Sequence, residues 1–291
     1  MKKAKLSMIV SMAVFGTIGL FKKQIPLTSG EIALYRAVLA AAVIVLALLV
    51  TKQPLPFRAI KKELPLLLLS GAAMGFNWIL LFEAYEYTTV SAATLSYYFA
   101  PVLVTVACPI LFKEKAGLKQ WVCSIMATVG IVMITGLGDP AVGGTHLIGI
   151  GFGLGAAVLY ATVVLLNKYI KNVGGIHRTL FQFFAAIVVL VPYVVLTGPT
   201  EGFIGGKGLM FMLIVGIVHT GFCYCLYFTA MKDLPGQKVA LLSYIDPLVA
   251  ILLSALLLKE AMTPVQIVGG AMILGFTLLN EIELKPKKTV S

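Results

Sequence analysis

The sequence predicts an all-α integral membrane protein whose ten transmembrane helices form two inverted five-helix repeats. Three observations support this fold class. The composition is 59% apolar and 12% charged, with a mean hydropathy of +0.99, far more apolar than a water-soluble core requires. The chain divides into ten apolar runs, and it matches itself without a gap when it is shifted by 146 residues.

The apolar runs are separated at charges, glycines and prolines, and about 20 apolar residues are needed to cross the hydrocarbon core. The first run follows a basic start and no cleavage-site pattern comes after it, so we interpret it as a retained span rather than a secretory signal. The predicted spans are 6–21, 30–51, 64–86, 88–112, 118–135, 147–170, 178–196, 209–230, 235–258 and 264–280.

The shift of 146 residues brings similar motifs of the two halves together. Matching positions include Gly75-Phe76 and Gly221-Phe222, Tyr98 and Tyr244, Pro101 and Pro247, and Lys113-Glu114 and Lys259-Glu260. We therefore predict two repeats, 1–145 and 146–291. Because each repeat holds an odd number of spans, the second copy must cross the bilayer in the opposite direction.

Lysine and arginine are distributed unevenly between the two ends of the spans. With the N-terminus inside, eighteen of the 23 basic residues lie in cytoplasmic segments and four lie on the opposite side, while Arg36 lies within a span. Positively charged loops stay in the cytoplasm. We therefore predict a multi-pass protein of the cell membrane with both termini cytoplasmic. The net charge of +11 reflects this topology, and we expect no nucleic-acid partner.

No motif indicates an enzyme, a metal or a cofactor. The four cysteines lie inside apolar runs and lack the spacing of a metal site. The glycines between 149 and 155 follow no strand that would make a dinucleotide site, and we interpret Asp139, after Gly136-Leu137-Gly138, as part of a turn rather than a catalytic aspartate. The chain also has no nucleotide-binding loop. We predict no catalytic residue, no bound metal and no cofactor.

Several strings resemble the EamA-type family of the drug/metabolite transporter superfamily, and the resemblance covers essentially the whole chain. The strings are 82–93 leading to Pro101, Phe112-Lys113-Glu114, Ala230-Met231 leading to Pro247, Leu258-Lys259-Glu260 and Gly269-Gly270. The resemblance implies a central cavity lined mainly by the first four helices of each repeat. It also implies export of small metabolites or amino acids.

We accordingly expect a secondary transporter that exports a small, partly apolar metabolite by alternating access, with an amino acid or related zwitterion as the first candidate substrate. Efflux of organic cations or drugs is the alternative within the same class. A passive channel or an intramembrane enzyme is the alternative from another class. The expected partners are a small-molecule substrate and the lipid bilayer, and proton coupling is a further hypothesis.

Two prolines interrupt the fourth and ninth predicted spans at equivalent positions, Pro101 and Pro247. Proline lacks an amide donor and leaves the carbonyl four residues back unpaired. Irregular backbone at membrane depth is tolerated where it faces protein or a water-filled cavity. We expect both prolines to border the cavity and to take part in gating or coupling, the alternative being a simple kink in a packed helix.

Aromatic residues at equivalent positions of the two repeats are predicted to line the substrate site, since aromatic walls suit a small organic ligand. They are Trp78, Tyr98, Tyr224 and Tyr244. Asn77 and His219 lie in the same spans, and each either contacts substrate or joins two helices by a hydrogen bond. His219 is also a candidate proton relay.

Charged side chains inside the hydrocarbon cost about 2.5–3.5 kcal/mol each, so each needs a partner or a purpose. Arg36 is predicted to receive a substrate carboxylate, or to pair with Glu83 as a structural ion pair or an outer gate. Glu31 either competes for Arg36 or caps its helix.

Asp246 is the most deeply placed acid in the predicted topology. Burial favours its protonated form, so we expect it to bind a proton or a substrate ammonium group. The alternative is a structural acid satisfied by Ser243, His219 or a neighbouring tyrosine.

Overall fold

The computed structural model describes residues 2–113, 117–135, 143–198, 200, 205–234 and 242–281, and no β-strand occurs among them. Within these ranges, seven apolar helices are long enough to cross a membrane, and three shorter apolar helices accompany them. Asp139 and the predicted start of the ninth span at Pro235 lie outside the described residues. The chain is therefore an all-helical, multi-pass membrane protein.

The helices follow the predicted spans in order. In the first half they are α1 (Lys2–Gly16), α2 (Ile18–Lys22), α3 (Ser29–Val50), α4 (Phe57–Tyr87), α5 (Val90–Tyr97), α6 (Ala100–Phe112) and α7 (Leu118–Thr135). In the second half they are α8 (Gly144–Tyr169), α9 (Gly175–Thr197), α10 (Gly205–Leu213), a π-helix (Ile214–Phe222), α11 (Cys223–Asp233), α12 (Ile245–Leu256) and α13 (Pro264–Glu281).

The predicted interruption of the fourth span is present. Helix α5 ends at Tyr97, Tyr98 adopts φ −70° and ψ 5°, and α6 begins two residues later with Pro101 in its first turn. Tyr244, three residues before Pro247, adopts φ −70° and ψ −8° ahead of α12. The proline ring prevents the regular hydrogen bond to the carbonyl four residues back, which accounts for both turns.

Two further departures from a regular α-helix were not predicted. Thr17 separates α1 from α2, so the first span is also divided. The eighth span changes to π-helical hydrogen bonding over nine residues between α10 and α11. A π-helix is uncommon and often occurs at functional positions.

Helix starts and unusual backbone conformations recur 146 residues apart. Ser29 and Gly175 begin α3 and α9, and Leu118 and Pro264 begin α7 and α13. Left-handed backbone conformations occur at Lys52 (φ 51°) and Gly198 (φ 82°), and at Lys113 (φ 56°) and Lys259 (φ 54°). These corresponding residues of the two halves therefore share a helix start or a positive φ.

Helices of the two halves pack on one another. Helix α4 packs on α8 and α9, α3 packs on α9 and the π-helix, and α1 packs on α11 and α12. Helix α5 meets α12, while α7 and α13 form a separate pair. The main core, formed largely by α3, α4 and α9, is apolar and holds small and aromatic side chains. This core surrounds the buried arginine of α3.

Candidate functional site

Arg36 lies on α3 with 5% of its surface accessible. Its Nε donates a 2.7 Å hydrogen bond to Oγ1 of Thr220 on the π-helix. The guanidinium carbon lies 4.5 Å from the centroid of the Trp78 ring and 5.7 Å from that of Phe82. Among the described residues, none accepts a hydrogen bond from the two terminal nitrogens. The aromatic faces therefore stabilise the charge while four N–H donors remain available to a ligand.

The ion pair considered between Arg36 and Glu83 is not formed, and within the described part of the chain Glu31 does not pair with Arg36 either. Trp78 and Phe82 of α4 face Arg36. The next residue, Glu83, points about 100° further round the helix. Glu83 is partly exposed and interacts electrostatically with Lys22.

The alternative role predicted for Glu31 is confirmed. Thr28 and Glu31 form a reciprocal capping box at the start of α3. The same carboxylate accepts a 3.1 Å hydrogen bond from the backbone nitrogen of Thr200. Glu31 thus satisfies backbone donors at the ends of two segments.

Phe183 of α9 joins two of the predicted aromatic residues. Its ring centroid lies 5.4 Å from that of Trp78 and 5.5 Å from that of Tyr224, both in edge-to-face geometry. Phe15 of α1 extends the row, 5.3 Å from Tyr224. Trp78 and Tyr224, which occupy equivalent positions of the two halves, are therefore parts of one aromatic wall. Phe183 was not predicted, because nothing in the sequence distinguishes it from the other fifteen phenylalanines.

Asp246 lies in the first turn of α12, where the helix dipole favours a negative charge. Its Oδ2 accepts a 2.7 Å hydrogen bond from the hydroxyl of Tyr98, so the tyrosine alternative for its partner is correct. Tyr97 lies beside Tyr98, and its ring centroid is 5.3 Å from that of Tyr160. Tyr97, Tyr98 and Asp246 are half-buried and Tyr160 is 41% exposed, so these groups keep accessible surface.

The charges of Arg36 and Asp246 interact electrostatically, but no ion pair joins them. Tyr97 and Tyr224 lie near both groups. Arg36 and Asp246, whose charges are opposite, thus lie near a common aromatic region. We call Arg36, Trp78, Tyr98, Tyr224 and Asp246 the central site.

His219 is buried beside the central site and joins the π-helix to the break in the first span. Its Nε2 lies 2.6 Å from Oγ1 of Thr17, and its Nδ1 lies 3.2 Å from the carbonyl oxygen of Ile214. The Thr17 hydroxyl also lies 2.7 Å from the carbonyl oxygen of Val14 and has a single proton to donate. His219 therefore finds partners in the neutral form, with Thr17 donating to Nε2, and in the protonated form, with Thr17 donating to Val14.

The remaining predicted residues are placed as follows. Asn77 is buried, and its Nδ2 donates a 2.6 Å hydrogen bond to the carbonyl oxygen of Ala156, which joins α4 to α8. Tyr244 is half-buried at the break before α12. Pro247 is buried and Pro101 is half-buried. The Asn77 contact is a helix-to-helix hydrogen bond, which was the alternative considered for this residue.

Two ion pairs lie at one end of the bundle. Lys22 pairs with Glu86, and Lys23 pairs with Glu260. The other carboxylate oxygen of Glu260 accepts a 2.8 Å hydrogen bond from the backbone nitrogen of Val90, at the start of α5. This cluster was not predicted. The sequence did contain an indication of it, because Lys22 and Lys23 are two of only four basic residues assigned to that side of the membrane.

Comparisons with known proteins agree with this architecture. A family model described as the EamA-like transporter family matches residues 2–136 and again residues 147–281. An uncharacterized transporter, YxxF, of Bacillus subtilis is 28% identical over 290 residues, which is 99% of this chain and 92% of that relative. An uncharacterized transporter of Archaeoglobus fulgidus is 28% identical over 67% of this chain and 68% of its own length.

A solved crystal structure supports the fold alone. It superposes with a TM-score of 0.69 and 16% sequence identity, over 95% of this chain and 96% of that one.

Proposed function

Because the chain belongs to the EamA-like transporter family, we propose that it is a secondary transporter of the cell membrane that exports an amino acid or related zwitterion by alternating access. The family and the names of its relatives identify a membrane transporter and not an enzyme. The observation that carries the substrate proposal is the presence of Arg36 and Asp246, unpaired with each other, at one central site.

A zwitterion matches these two charges. The terminal nitrogens of Arg36 suit a carboxylate, which a guanidinium binds through two parallel hydrogen bonds. Asp246 and the faces of the nearby tyrosines suit an ammonium group. A substrate with one charge would leave the opposite protein charge without its partner in a poorly hydrated site, which is costly. The aromatic wall of Trp78, Phe183 and Tyr224 suits an apolar side chain.

Organic cation efflux is the second candidate. The observation that favours it is the position of Asp246 among Tyr98, Tyr97 and Tyr160, since anionic and aromatic groups together attract an organic cation. In that case Arg36 is a structural charge held by Trp78 and Thr220. Substrates that differ only in their carboxylate distinguish the two proposals.

The two inverted repeats are supported by the double match to one family model and by the helix packing. With the shift of 146 residues, α1 corresponds to α8, α3 to α9, and the π-helix with α11 to α4. The contact of α1 with α11 therefore corresponds to that of α8 with α4, and the contact of α3 with the π-helix corresponds to that of α9 with α4. Both members of each pair are present. The contacts α3–α9 and α7–α13 each join a helix to its own counterpart. This is the pattern expected of a two-fold axis between the halves.

Alternating access is supported by a difference between the two ends of the bundle. At one end α5 packs on α12, and the ion pairs of Lys22 and Lys23 lie over this contact. Beyond the breaks at Tyr98 and Tyr244, α6 packs on α7 and α8. We infer that the end with the ion pairs is closed and that substrate reaches the central site from the other end.

The distribution of basic residues assigns the open end to the cytoplasm and both termini to the same side. A phosphatase that is active only outside the cytoplasm tests this. Fused to the C-terminus it is expected to be inactive, and inserted after Lys207 it is expected to be active. The opposite result would reverse the orientation and the direction of export inferred here.

Counterflow in liposomes tests the mechanism. We expect liposomes that contain the purified protein and are preloaded with unlabelled leucine to take up labelled leucine against its gradient, because a carrier exposes one site alternately to each side. A passive channel does not show this effect. Uptake of 3-methylbutylamine, which is leucine without its carboxylate, in preference to leucine would favour the organic-cation proposal.

A further inference from the structure

Thr220 uses its hydroxyl group in an unusual way. Its Oγ1 donates a 2.9 Å hydrogen bond to the carbonyl oxygen of Val215, five residues back. In the α-helices, Ser96, Thr128 and Thr277 donate to the carbonyl oxygen four residues back, and Ser70 donates to the one three residues back. The side chain of Thr220 therefore depends on the π-helical register of Ile214–Phe222.

This register determines from which direction the Thr220 hydroxyl oxygen can accept a hydrogen bond. A hydroxyl has one proton, and Thr220 donates it to Val215, so only lone pairs remain toward Arg36. Arg36 Nε fills that position at 2.7 Å. Thr220 has no accessible surface, so water does not replace this contact.

Two glycines allow the π-helix to approach α3 closely enough for this bond. A Cβ added at Gly216 would lie 2.7 Å from Cβ of Leu39, and one added at Gly221 would lie 2.6 Å from Cβ of Val43. Both distances are shorter than side chains tolerate. The glycines on either side of Thr220 therefore place its hydroxyl within reach of Arg36.

We propose that Thr220 is the positioning residue for Arg36, holding the guanidinium plane against Trp78 so that its two terminal nitrogens face the central site. The carboxylate part of this inference rests on the proposed function. A planar guanidinium that is anchored through Nε has its paired terminal donors pre-oriented, which lowers the entropy cost of binding a carboxylate. Thr220 itself has no free donor for substrate.

The position of Arg36 is tested first without any substrate. Trp78 and Trp121 are the two tryptophans, so a Trp121→Phe background reports Trp78 fluorescence alone. In the purified full-length protein, Thr220→Val is expected to change the Trp78 emission in the same direction as Arg36→Gln, because both remove the guanidinium from the ring. Thr220→Ser, which keeps the hydroxyl, is expected to leave the emission unchanged.

The consequence for binding is tested by leucine counterflow. Thr220→Val is expected to raise KM for leucine about tenfold while kcat changes less than about twofold, since hydrogen bonds to charged groups contribute on this scale. The affinity for 3-methylbutylamine, measured by thermal shift, is expected to stay the same. Thr220→Ser is expected to match the natural protein in both measurements. If Thr220 had a purely structural role, Thr220→Val would weaken the binding of leucine and of 3-methylbutylamine equally.

The outcomes separate this inference from the proposed function. If Arg36→Gln changes the Trp78 emission and Thr220→Val does not, the positioning role is refuted whatever the substrate is. Another outcome is that Thr220→Val changes the emission while neither Thr220→Val nor Arg36→Gln changes KM for leucine. In that case Thr220 positions Arg36 and the zwitterion proposal fails. If Thr220→Val and Arg36→Gln change the Trp78 emission and KM for leucine in the same direction, the positioning role and the zwitterion proposal are both supported.

Discussion

The Tyr98 hydroxyl donates a 2.7 Å hydrogen bond to Asp246, and this contact joins the breaks of the fourth and ninth spans. Tyr98 occupies the turn ahead of Pro101, and Asp246 directly precedes Pro247. The bond thus connects the two points at which both spans lose regular helical hydrogen bonding. A change in the charge of Asp246 would alter the link between the two halves.

We predict that Asp246→Asn lowers the affinity for amine-bearing substrates at least about tenfold, because it removes the carboxylate that attracts the ammonium group. In the natural protein a proton and a substrate ammonium compete for Asp246, so substrate affinity is expected to fall as the pH falls. The Asn variant is expected to bind weakly with little pH dependence. Thermal-shift titration at several pH values measures this, with Tyr98→Phe as a milder control. Unchanged pH dependence in Asp246→Asn would exclude Asp246 as the proton site.

We predict that Arg36→Gln weakens binding of a carboxylate-bearing substrate by about 2–5 kcal/mol, since one partner of a buried charge pair is removed. Arg36→Lys is expected to recover only part of the affinity, because an ammonium group cannot make the paired hydrogen bonds of a guanidinium. Stabilisation of the protein by leucine against heat measures the affinity.

Glu83→Gln is the matched control, because Glu83 does not contact Arg36. Its leucine affinity should equal that of the natural protein. If Glu83→Gln lowered leucine affinity as much as Arg36→Gln does, the two side chains would be shown to act together.

We predict that Lys23→Gln opens the end of the bundle that carries the ion pairs. A partly exposed ion pair contributes roughly 0.5–1 kcal/mol, so the closed form should lose a two- to fivefold preference. Thr94→Cys, buried in α5 at this end, serves as the reporter in a background from which Cys108, Cys123, Cys223 and Cys225 are removed. A membrane-impermeant thiol reagent is expected to label it faster in the Lys23→Gln variant.

Lys207, an exposed residue at the same end of the bundle, provides the control for this measurement. Lys207→Gln changes the net charge equally, and among the described residues Lys207 forms no ion pair, so labelling should stay at the original rate. Exchanging the charges by Lys23→Glu with Glu260→Lys should restore slow labelling only in part, because a lysine at position 260 cannot accept the hydrogen bond from Val90. Equal labelling rates in all these variants would refute the ion pairs as the closure of this end.

We predict that Gly269→Ala destabilises the pair formed by α7 and α13 by about 1–3 kcal/mol, because overpacked side chains force the backbones apart. A Cβ at Gly269 would lie 2.6 Å from the carbonyl oxygen of Gly130. A Cβ added at Gly275 on the same helix would meet no atom within 4 Å, so Gly275→Ala should be neutral or stabilising. Thermal unfolding in detergent distinguishes the two. Leucine affinity should be unchanged in both, since this pair lies apart from the central site.

Much of the central site could be expected from single residues. Arg36 and Asp246 are conspicuous because a charge in an apolar run needs a reason, and Pro101 marks a break in any helix. Thr220 carries no such mark, since threonine is common in membrane helices and its role depends on a π-helix. The proposed contact of Arg36 with Glu83 was wrong because similar depth in the membrane does not specify which side of a helix a residue faces.

The sequence by itself determined the membrane setting, the order of the helices and the positions of the two proline breaks, because apolar length, proline and charge act locally along the chain. Only the tertiary structure decided that Arg36 meets Thr220 and Trp78, that Tyr98 meets Asp246, and that Lys22 and Lys23 pair with Glu86 and Glu260. These contacts join residues far apart in the chain, and they depend on the rotation and spacing of packed helices, which no local pattern specifies.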